Sequence, residues 1–378
     1  MKLSCTRENL HQGLSIVSHL TSKNVNLPIL QNVLVKAEGG TIRLTTTNLE
    51  MAVNCTIRGK VDEAGEATVP SKLFFDYVSL LPNETVSVDG DGEVLKVACG
   101  TYKTKMNGLA STEFPLVPRV QGTRTFKIPA EDLRVALGRV LFAVASNESR
   151  PELTGVSMQF MPGETEGKLV LASTDSYRLA EATIPLVSGA VDSGISVIVP
   201  AKTLSEVARI LSVFRDDVDV PSSVQMDIAD NQAVFAYGPV ELISRIIEGN
   251  YPDYRQIIPK QYETHATLDR DDFVQAVKTA SLFSKTGLFD VALELDSAAG
   301  SLAVKAVDAT RGENVAACGA AITGKNNGVT LNYRYLLDGM NAIGTEQIAF
   351  QMIDTANPCL LTAQDDPSYL YIVMPIKQ

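Results

Sequence analysis

The sequence predicts an α+β fold of three similar domains, each an internal duplicate in which helices pack on one face of antiparallel sheet. Three patterns predict it. One amphipathic helix pattern occurs three times, a second also occurs three times, and hairpin-like strand runs with turn residues fill the intervals.

The first helix pattern follows a strand-like start, Met1-Lys2-Leu3-Ser4-Cys5. Leu10, Gly13, Leu14, Val17 and Leu20 then fall on one face of a 3.6-residue period. The same offsets return at Leu133, Ala136, Leu137, Val140 and Ala143, and again at Phe273, Ala276, Val277, Ala280 and Phe283, spacings of 123 and 140 residues. Acids open each copy (Glu8; Glu131 and Asp132; Asp271 and Asp272), where negative charge complements the helix dipole. The second pattern reads Phe74, Tyr77, Val78, Leu81, then Leu204, Val207, Ala208, Leu211, then Leu336, Gly339, Met340, Ile343, at spacings of 130 and 132. Each copy carries a base and an acid four apart: Lys72 and Asp76, Lys202 and Glu206, Arg334 and Asp338. That is the spacing of an on-helix ion pair contributing about 0.2–0.5 kcal/mol.

Between the helices, hairpins are predicted from Val35 to Leu44 around Glu38-Gly39-Gly40, and from Val86 to Val97 around Asp89-Gly90-Asp91-Gly92. Two more run from Val224 to Phe235 around Asp230-Asn231 and from Leu293 to Val304 around Ala299-Gly300. Proline-marked joints at Phe114-Pro115-Leu116-Val117-Pro118 and Tyr251-Pro252-Asp253-Tyr254 divide the chain into domains 1–121, 122–251 and 252–378.

Composition bounds the function. With 378 residues, 45% hydrophobic and 20% charged, the chain is long enough for two to four domains and is not disordered as a whole. No apolar run approaches the roughly 20 residues of a membrane span, and the N-terminus lacks the apolar core of a signal peptide, so a cytoplasmic protein is expected. Cys5, Cys55, Cys99, Cys318 and Cys359 are scattered, with no Cys-x-x-Cys, which predicts small buried hydrophobes rather than disulfides or a zinc cluster. Three histidines, His11, His19 and His265, give metal or Ser-His-Asp chemistry little to draw on, and no metal or cofactor is expected.

The familiar motifs are missing. Asp89-Gly90-Asp91-Gly92-Glu93 lacks the twelve-residue spacing of an EF-hand, and no phosphate loop, dinucleotide fingerprint, nucleophile elbow or His-x-x-x-His occurs. Asp175 and Asp308 close parallel stretches, Leu171-Ala172-Ser173-Thr174-Asp175 and Val304-Lys305-Ala306-Val307-Asp308, with Asn48 in the same place in the first third. A short polar residue at one strand-to-turn junction in every repeat reads as a turn former, not as an acid–base pair. No catalytic residue is assigned.

The net charge of −11 argues at face value against nucleic acid. Its distribution is more informative. The six helix windows (7–24, 72–81, 131–150, 202–215, 270–285, 333–342) carry a net +4, so the strands and loops carry −15. On the helix from Lys202, the residues Lys202, Ser205, Arg209 and Ser212 lie opposite Leu204, Val207, Ala208 and Leu211. Mildly basic helix faces and acidic strands are therefore expected.

Leu27-Pro28-Ile29-Leu30 with Asn32, Thr174-Asp175 with Arg178-Leu179, Tyr251-Pro252-Asp253-Tyr254-Arg255, and Tyr371-Ile372-Val373-Met374-Pro375-Ile376 occur in order on the threefold repeat. In these stretches the whole chain resembles the bacterial DNA sliding clamps, the beta subunits of DNA polymerase III. The resemblance implies three repeated clamp domains with sheets outside and two helices inside each. It further implies a head-to-tail homodimeric ring that encircles duplex DNA without sequence preference and tethers the replicative polymerase. Clamp loader and other replication and repair proteins are implied partners, through short peptides, with neither a membrane nor an enzymatic activity involved. The alternative is a repeat-built protein-interaction scaffold that does not encircle DNA.

For this family the inner-surface candidates are Lys23, Asn24, Arg134, Asn147, Arg150, Lys202, Arg209 and Lys278. The resemblance maps the partner-peptide pocket to Leu153, Thr174, Ser176, Tyr177, Arg178, Leu179, Pro252, Gln256, Ile257, Ile372, Met374, Pro375 and Ile376. Ser176-Tyr177 stands where the family often has a small residue and a His, and Gln256 where a base is common. The subunit interface maps to Lys103, Lys105 and Met106 on one strand and to Leu282 and Phe283, with Glu294 or Asp296 as acids for the lysines.

Overall fold

The structure is a computed structural model that describes residues 1–20, 27–117, 124–147, 149–161, 167–189, 194–215 and 220–376. Six α-helices occur among them: α1 (Arg7–Val17), α2 (Ser71–Ser79), α3 (Ala130–Val140), α4 (Ala201–Val213), α5 (Arg270–Ser281) and α6 (Tyr333–Ala342). The strand pairings are antiparallel. This is the predicted α+β class.

The chain packs as two compact units. One comprises Met1–Glu131, Val187–Gly189 and Arg209–Ile246, the other Asp132–Leu186, Ala190–Ala208 and Ile247–Gln378. The first holds a five-stranded sheet ending in Tyr102–Asn107 and an eight-stranded sheet. The second holds a twelve-stranded sheet. The middle third of the sequence supplies strands to both. Val240–Arg245 pairs with Met51–Ile57, setting Ile243 opposite Ala52, and Arg178–Pro185 pairs with Asp366–Val373, setting Leu179 opposite Ile372. Each pairing satisfies two rows of backbone groups that would otherwise be open edges.

The helix cores follow the sequence periodicity. Leu10, Leu14 and Val17 of α1, Leu133, Leu137 and Val140 of α3, and Phe273, Val277 and Ala280 of α5 are buried. Local chemistry sets the helix starts. Thr6 Oγ1 accepts from Asn9 N, Asp269 from Asp271 N and Asp272 N, and Asn332 from Arg334 N, each satisfying free first-turn donors. The windows 7–24 and 131–150 overshoot. After Val17 and Val140 the backbone tightens into 3-10 turns, Ser18–Leu20 and Leu141–Ala143. Ser18 Oγ donates to Leu14 O at 2.6 Å at the first of these exits. Leu20 and Ala143 still reach the core from those turns.

Two local expectations are corrected. The second hairpin turns at Gly92-Glu93, with Asp91 opposite Val94 and Asp89 to Asp91 in strand. Gly92, at φ +61°, takes the positive φ that a two-residue loop requires. The first and third on-helix ion pairs do not form among the described residues: Lys72 and Asp76 are not paired, Asp338 bonds Arg178 at 2.6 Å, and the Arg334 guanidinium stacks 3.6 Å from the Phe289 ring centre. All five cysteines are buried and free, and burial pushes the Cys5, Cys55 and Cys359 thiols up to about 12.

Candidate partner groove, subunit edges and nucleic-acid face

The three junction residues read as turn formers do that work. Asn48 Oδ1 accepts from Glu50 N and Met51 N, Asp175 Oδ1 from Tyr177 N and Arg178 N, and Asp308 Oδ1 from Thr310 N and Arg311 N. In the middle repeat this turn carries the residues expected to line the partner pocket. Thr174 Oγ1 donates to Arg178 O at 2.6 Å and accepts from Ser176 N, which holds Ser176 at φ +79°. Tyr177 is thereby thrust outward, 64% exposed.

The floor expected of that pocket is an apolar, buried cluster. Leu179 and Ile372 face each other across paired strands and pack with Ala172, Tyr254 and Leu360. Leu153 and Thr174 are buried as well. Tyr177 and Ile257 form an exposed rim, and Pro252, Met374, Pro375 and Ile376 are half-buried. The C-terminal run is anchored through Met374 N to Tyr177 O (2.9 Å) and Ile376 N to Thr330 O (2.9 Å). Ser176 and Gln256 are exposed, and Gln256 Nε2 donates to Asp253 Oδ2 at 2.8 Å. Strand pairing thus sets Leu179 against Ile372, and the Tyr177 turn is bonded to Met374. Tyr251 and Tyr254 were not singled out as floor residues, although both lie in the Tyr-Pro-Asp-Tyr motif. Tyr254 is buried, its hydroxyl donates to Glu181, and burial with that carboxylate raises its phenol well above the ordinary range.

Arg178 is a brace rather than an open handle. Its side chain is 11% exposed. Nε donates to Asp175 Oδ2 at 3.0 Å, Nη1 to Asp338 Oδ2 at 2.6 Å, and Nη2 to Phe142 O at 2.6 Å. Its guanidinium carbon lies 4.5 Å from the Tyr335 ring centre and 5.4 Å from that of Phe142. The fork geometry of arginine meets two carboxylates and a carbonyl at once, which a lysine cannot do.

Basic residues on the helices divide the same way. Arg7 donates to Val78 O and Ser79 O in the last turn of α2, Arg209 to Ile16 O (2.7 Å) in the last turn of α1, and Arg270 to Ile343 O beyond α6. These guanidinium groups cap carbonyls at helix C-termini, where the dipole favours a cation. The carbonyl end of α1 therefore holds Arg209, one of the inner-face candidates. Arg134 is half-buried and also engaged. Among exposed helical residues, the bases Lys72, Lys202, Lys278 and Arg334 are outnumbered by Glu8, Asp76, Glu131, Asp132, Asp271 and Asp272. The net +4 thus counted structural arginines as surface charge. Lys202 and Lys278 are exposed, and Arg150 is exposed and paired with Glu152 at 2.9 Å. Asn147 Oδ1 accepts from Ser149 N. Lys23 and Asn24 lie outside the described residues.

The interface candidates fall on an open sheet edge and on the turn that ends α5. Tyr102–Asn107 ends its sheet, with Lys103 and Lys105 exposed. Met106 is 3% exposed and belongs to the core, because alternation along the strand points it inward. Leu282 is 67% exposed and Phe283 half-buried. Nearby, Arg311 donates to Leu282 O and Thr286 Oγ1. It leads into Gly312–Gly319, which pairs with Ser301–Asp308 on one side and among the described residues with no strand on the other. Of the suggested acids, Glu294 is paired with Lys305 at 2.5 Å and Asp296 Oδ1 accepts from Ala298 N and Ala299 N. On the open edge stands Glu313, exposed. Two further leucines stand exposed, Leu73 (53%) on α2 and Leu80 (84%) at its C-cap.

Comparison with known proteins agrees with this architecture. The N-terminal, central and C-terminal domain families of the DNA polymerase III beta subunit match residues 1–118, 127–253 and 255–377. The beta sliding clamp of Synechococcus elongatus is 30% identical, covering 100% of this chain and 99% of that protein. That of Staphylococcus aureus is 27% identical with the same coverage. Among solved structures, the sliding clamps of Pseudomonas aeruginosa and Bartonella birtlesii, both bound to griselimycin, superpose with TM-scores of 0.92 at 27% identity and full coverage of both chains. The chain belongs to the DNA polymerase III beta subunit family, the beta sliding clamps.

Proposed function

We propose that two copies of this chain close head to tail into a ring around duplex DNA and slide along it. The groove at Leu179 and Ile372 then holds the replicative polymerase, the clamp loader and other replication and repair proteins by short peptides. The protein is a sliding clamp, a non-catalytic accessory subunit, with clamp domains at 1–121, 122–251 and 252–378. What carries this reading is the match of all three clamp domain families, in order, over the whole chain. No helix among the described residues is long and apolar enough to cross a membrane, in keeping with work on cytoplasmic DNA.

A closed ring is retained by topology, so its phosphate contacts can be weak and sequence-blind. Lys202, Lys278 and Arg150 are exposed cations suited to that role, and Lys23, Asn24 and Asn147 are proposed for it as well. Arg134 and Arg209 serve the fold first. The subunit contact joins the edge Tyr102–Asn107 of one protomer to the edge Gly312–Gly319 of its partner, continuing one sheet across two chains. Lys103 and Lys105 then face Glu313, the acid left exposed on that edge, and Leu73, Leu80, Leu282 and Phe283 supply apolar contact.

Two measurements test this. The loaded protein should be retained on nicked circular DNA and released when that DNA is linearised; indifference to DNA shape would establish the non-encircling scaffold instead. Leu282→Ala with Phe283→Ala should sediment as a monomer at micromolar concentration, and a persisting dimer removes these residues from the interface.

A further inference from the structure

The partner groove has a structural twin in the first repeat. Thr47 Oγ1 donates to Met51 O and accepts from Leu49 N, as Thr174 does with Arg178 O and Ser176 N. Asn48 and Asp175 each accept two backbone amides at the same offsets. Leu49 stands at φ +76° and Ser176 at φ +79°. Arg245 N donates to Glu50 O at 3.0 Å, as Met374 N does to Tyr177 O at 2.9 Å. The floor pair Ala52 and Ile243 repeats the floor pair Leu179 and Ile372 in register. These atoms enclose a groove of about 500 Å³, lined by Leu49, Met51, Leu116, Ile243 and Arg245.

A positive φ is unfavourable for leucine, whose Cβ crowds the backbone there. Here the turn holds Leu49 half exposed, at 49%, on the rim of a groove. Leu116 is 97% exposed on the same groove. Two leucines held out of the core beside buried Met51 and Ile243 form an apolar surface of the kind that marks a binding site.

We propose that this groove is a second peptide-docking site, which takes a short extended segment with an aliphatic anchor and an acidic residue. The occupant follows from the shared frame and from the charges on its wall, where Arg245 stands for Met374 and Glu50 for Tyr177. The anchor enters between Leu49, Leu116 and Ile243, where the matching floor of the other groove lies. Arg245 replaces Met374 at the equivalent place on the wall, so the acid lies on that side. Met51 replaces Arg178, so no charged brace fixes the floor, and a flexible thioether lets this groove adapt to varied anchors. The proposal rests on reading the Leu179–Ile372 groove as a peptide pocket.

The experiment uses the full chain labelled with ¹³C at methionine methyls, so that Met51 reports on one groove and Met374 on the other. Met51→Leu and Met374→Leu identify the two resonances. The probe is the acetylated peptide Gly-Asp-Leu-Leu-Phe. Both resonances should move on titration. Leu116→Asp, at a position too exposed to threaten folding, should weaken the Met51 response about tenfold, the loss expected for one apolar contact, and leave the Met374 response intact. Ile257→Asp should do the reverse. Movement of Met374 alone overturns the second site while sustaining the first. Movement of neither overturns both.

Discussion

Replacing Arg178 by alanine should test whether the partner groove depends on its brace. The side chains of Arg178 and Asp175 are 11% and 15% exposed and meet at 3.0 Å. At an effective dielectric of about 20, two unit charges at that distance attract by roughly 5 kcal/mol before desolvation is subtracted. Breaking a buried pair typically costs about 3–5 kcal/mol, because the remaining charge is left uncompensated. Asp338 is 45% exposed, so its 2.6 Å contact adds only about 0.5–1 kcal/mol. A loss of about 3–4 kcal/mol is therefore expected for Arg178→Ala, with Arg178→Lys recovering a minor part. Unfolding of a chain this size need not be two-state, so the assay is native-state hydrogen exchange of the amides of Leu179 and Ile372 with peptide affinity measured alongside. Both should fall, and a double-mutant cycle with Asp338→Ala should return a coupling of about 1 kcal/mol. Unchanged exchange and affinity in Arg178→Ala would show that the floor is set by strand pairing alone and that the brace is incidental.

Gly339→Ala should destabilise the protein even though alanine is the better helix former by about 1 kcal/mol, because its Cβ would lie 2.1 Å from the Tyr371 ring beneath α6. Denaturant titration should show a net loss of about 1–3 kcal/mol, and a stability gain would mean that the ring moves aside freely. Lys202→Ala should reduce the salt dependence of DNA association by about one phosphate contact, whereas Arg209→Ala should leave that slope unchanged and speed hydrogen exchange at the C-terminal turn of α1; the opposite pattern would reverse the two assignments. Burial alone would raise the Asp366 carboxyl, but hydrogen bonds from Ser368 and the Arg139 guanidinium outweigh it and hold it below its ordinary value. A lowered folded value means stability that is present above the ordinary aspartate range, near 3.9, and lost as pH falls through the folded value. Acid unfolding of Asp366→Asn should accordingly begin from a lower stability and show a weaker pH dependence below about 4, and identical acid profiles would deny the pair this role.

Periodicity alone located all six helices and their buried faces, because a helix core is written in residues three and four apart. It also assigned Asn48, Asp175 and Asp308 to turns, since Asx chemistry is local. The helix starts were legible to within one residue, capped by a side chain or not, whereas most ends were not. The 3-10 exits after Val17 and Val140 depend on what the chain packs against next. Charge was the least legible property. A tally along the sequence cannot distinguish Arg209, folded onto the carbonyls of α1, from Lys202, left in water. Nor can it see that Asp338 is claimed by Arg178 across 160 residues, or that Met106 points inward while Lys103 and Lys105 do not. Those outcomes follow from which groups are brought within hydrogen-bond reach and which are desolvated, and only the tertiary arrangement decides that.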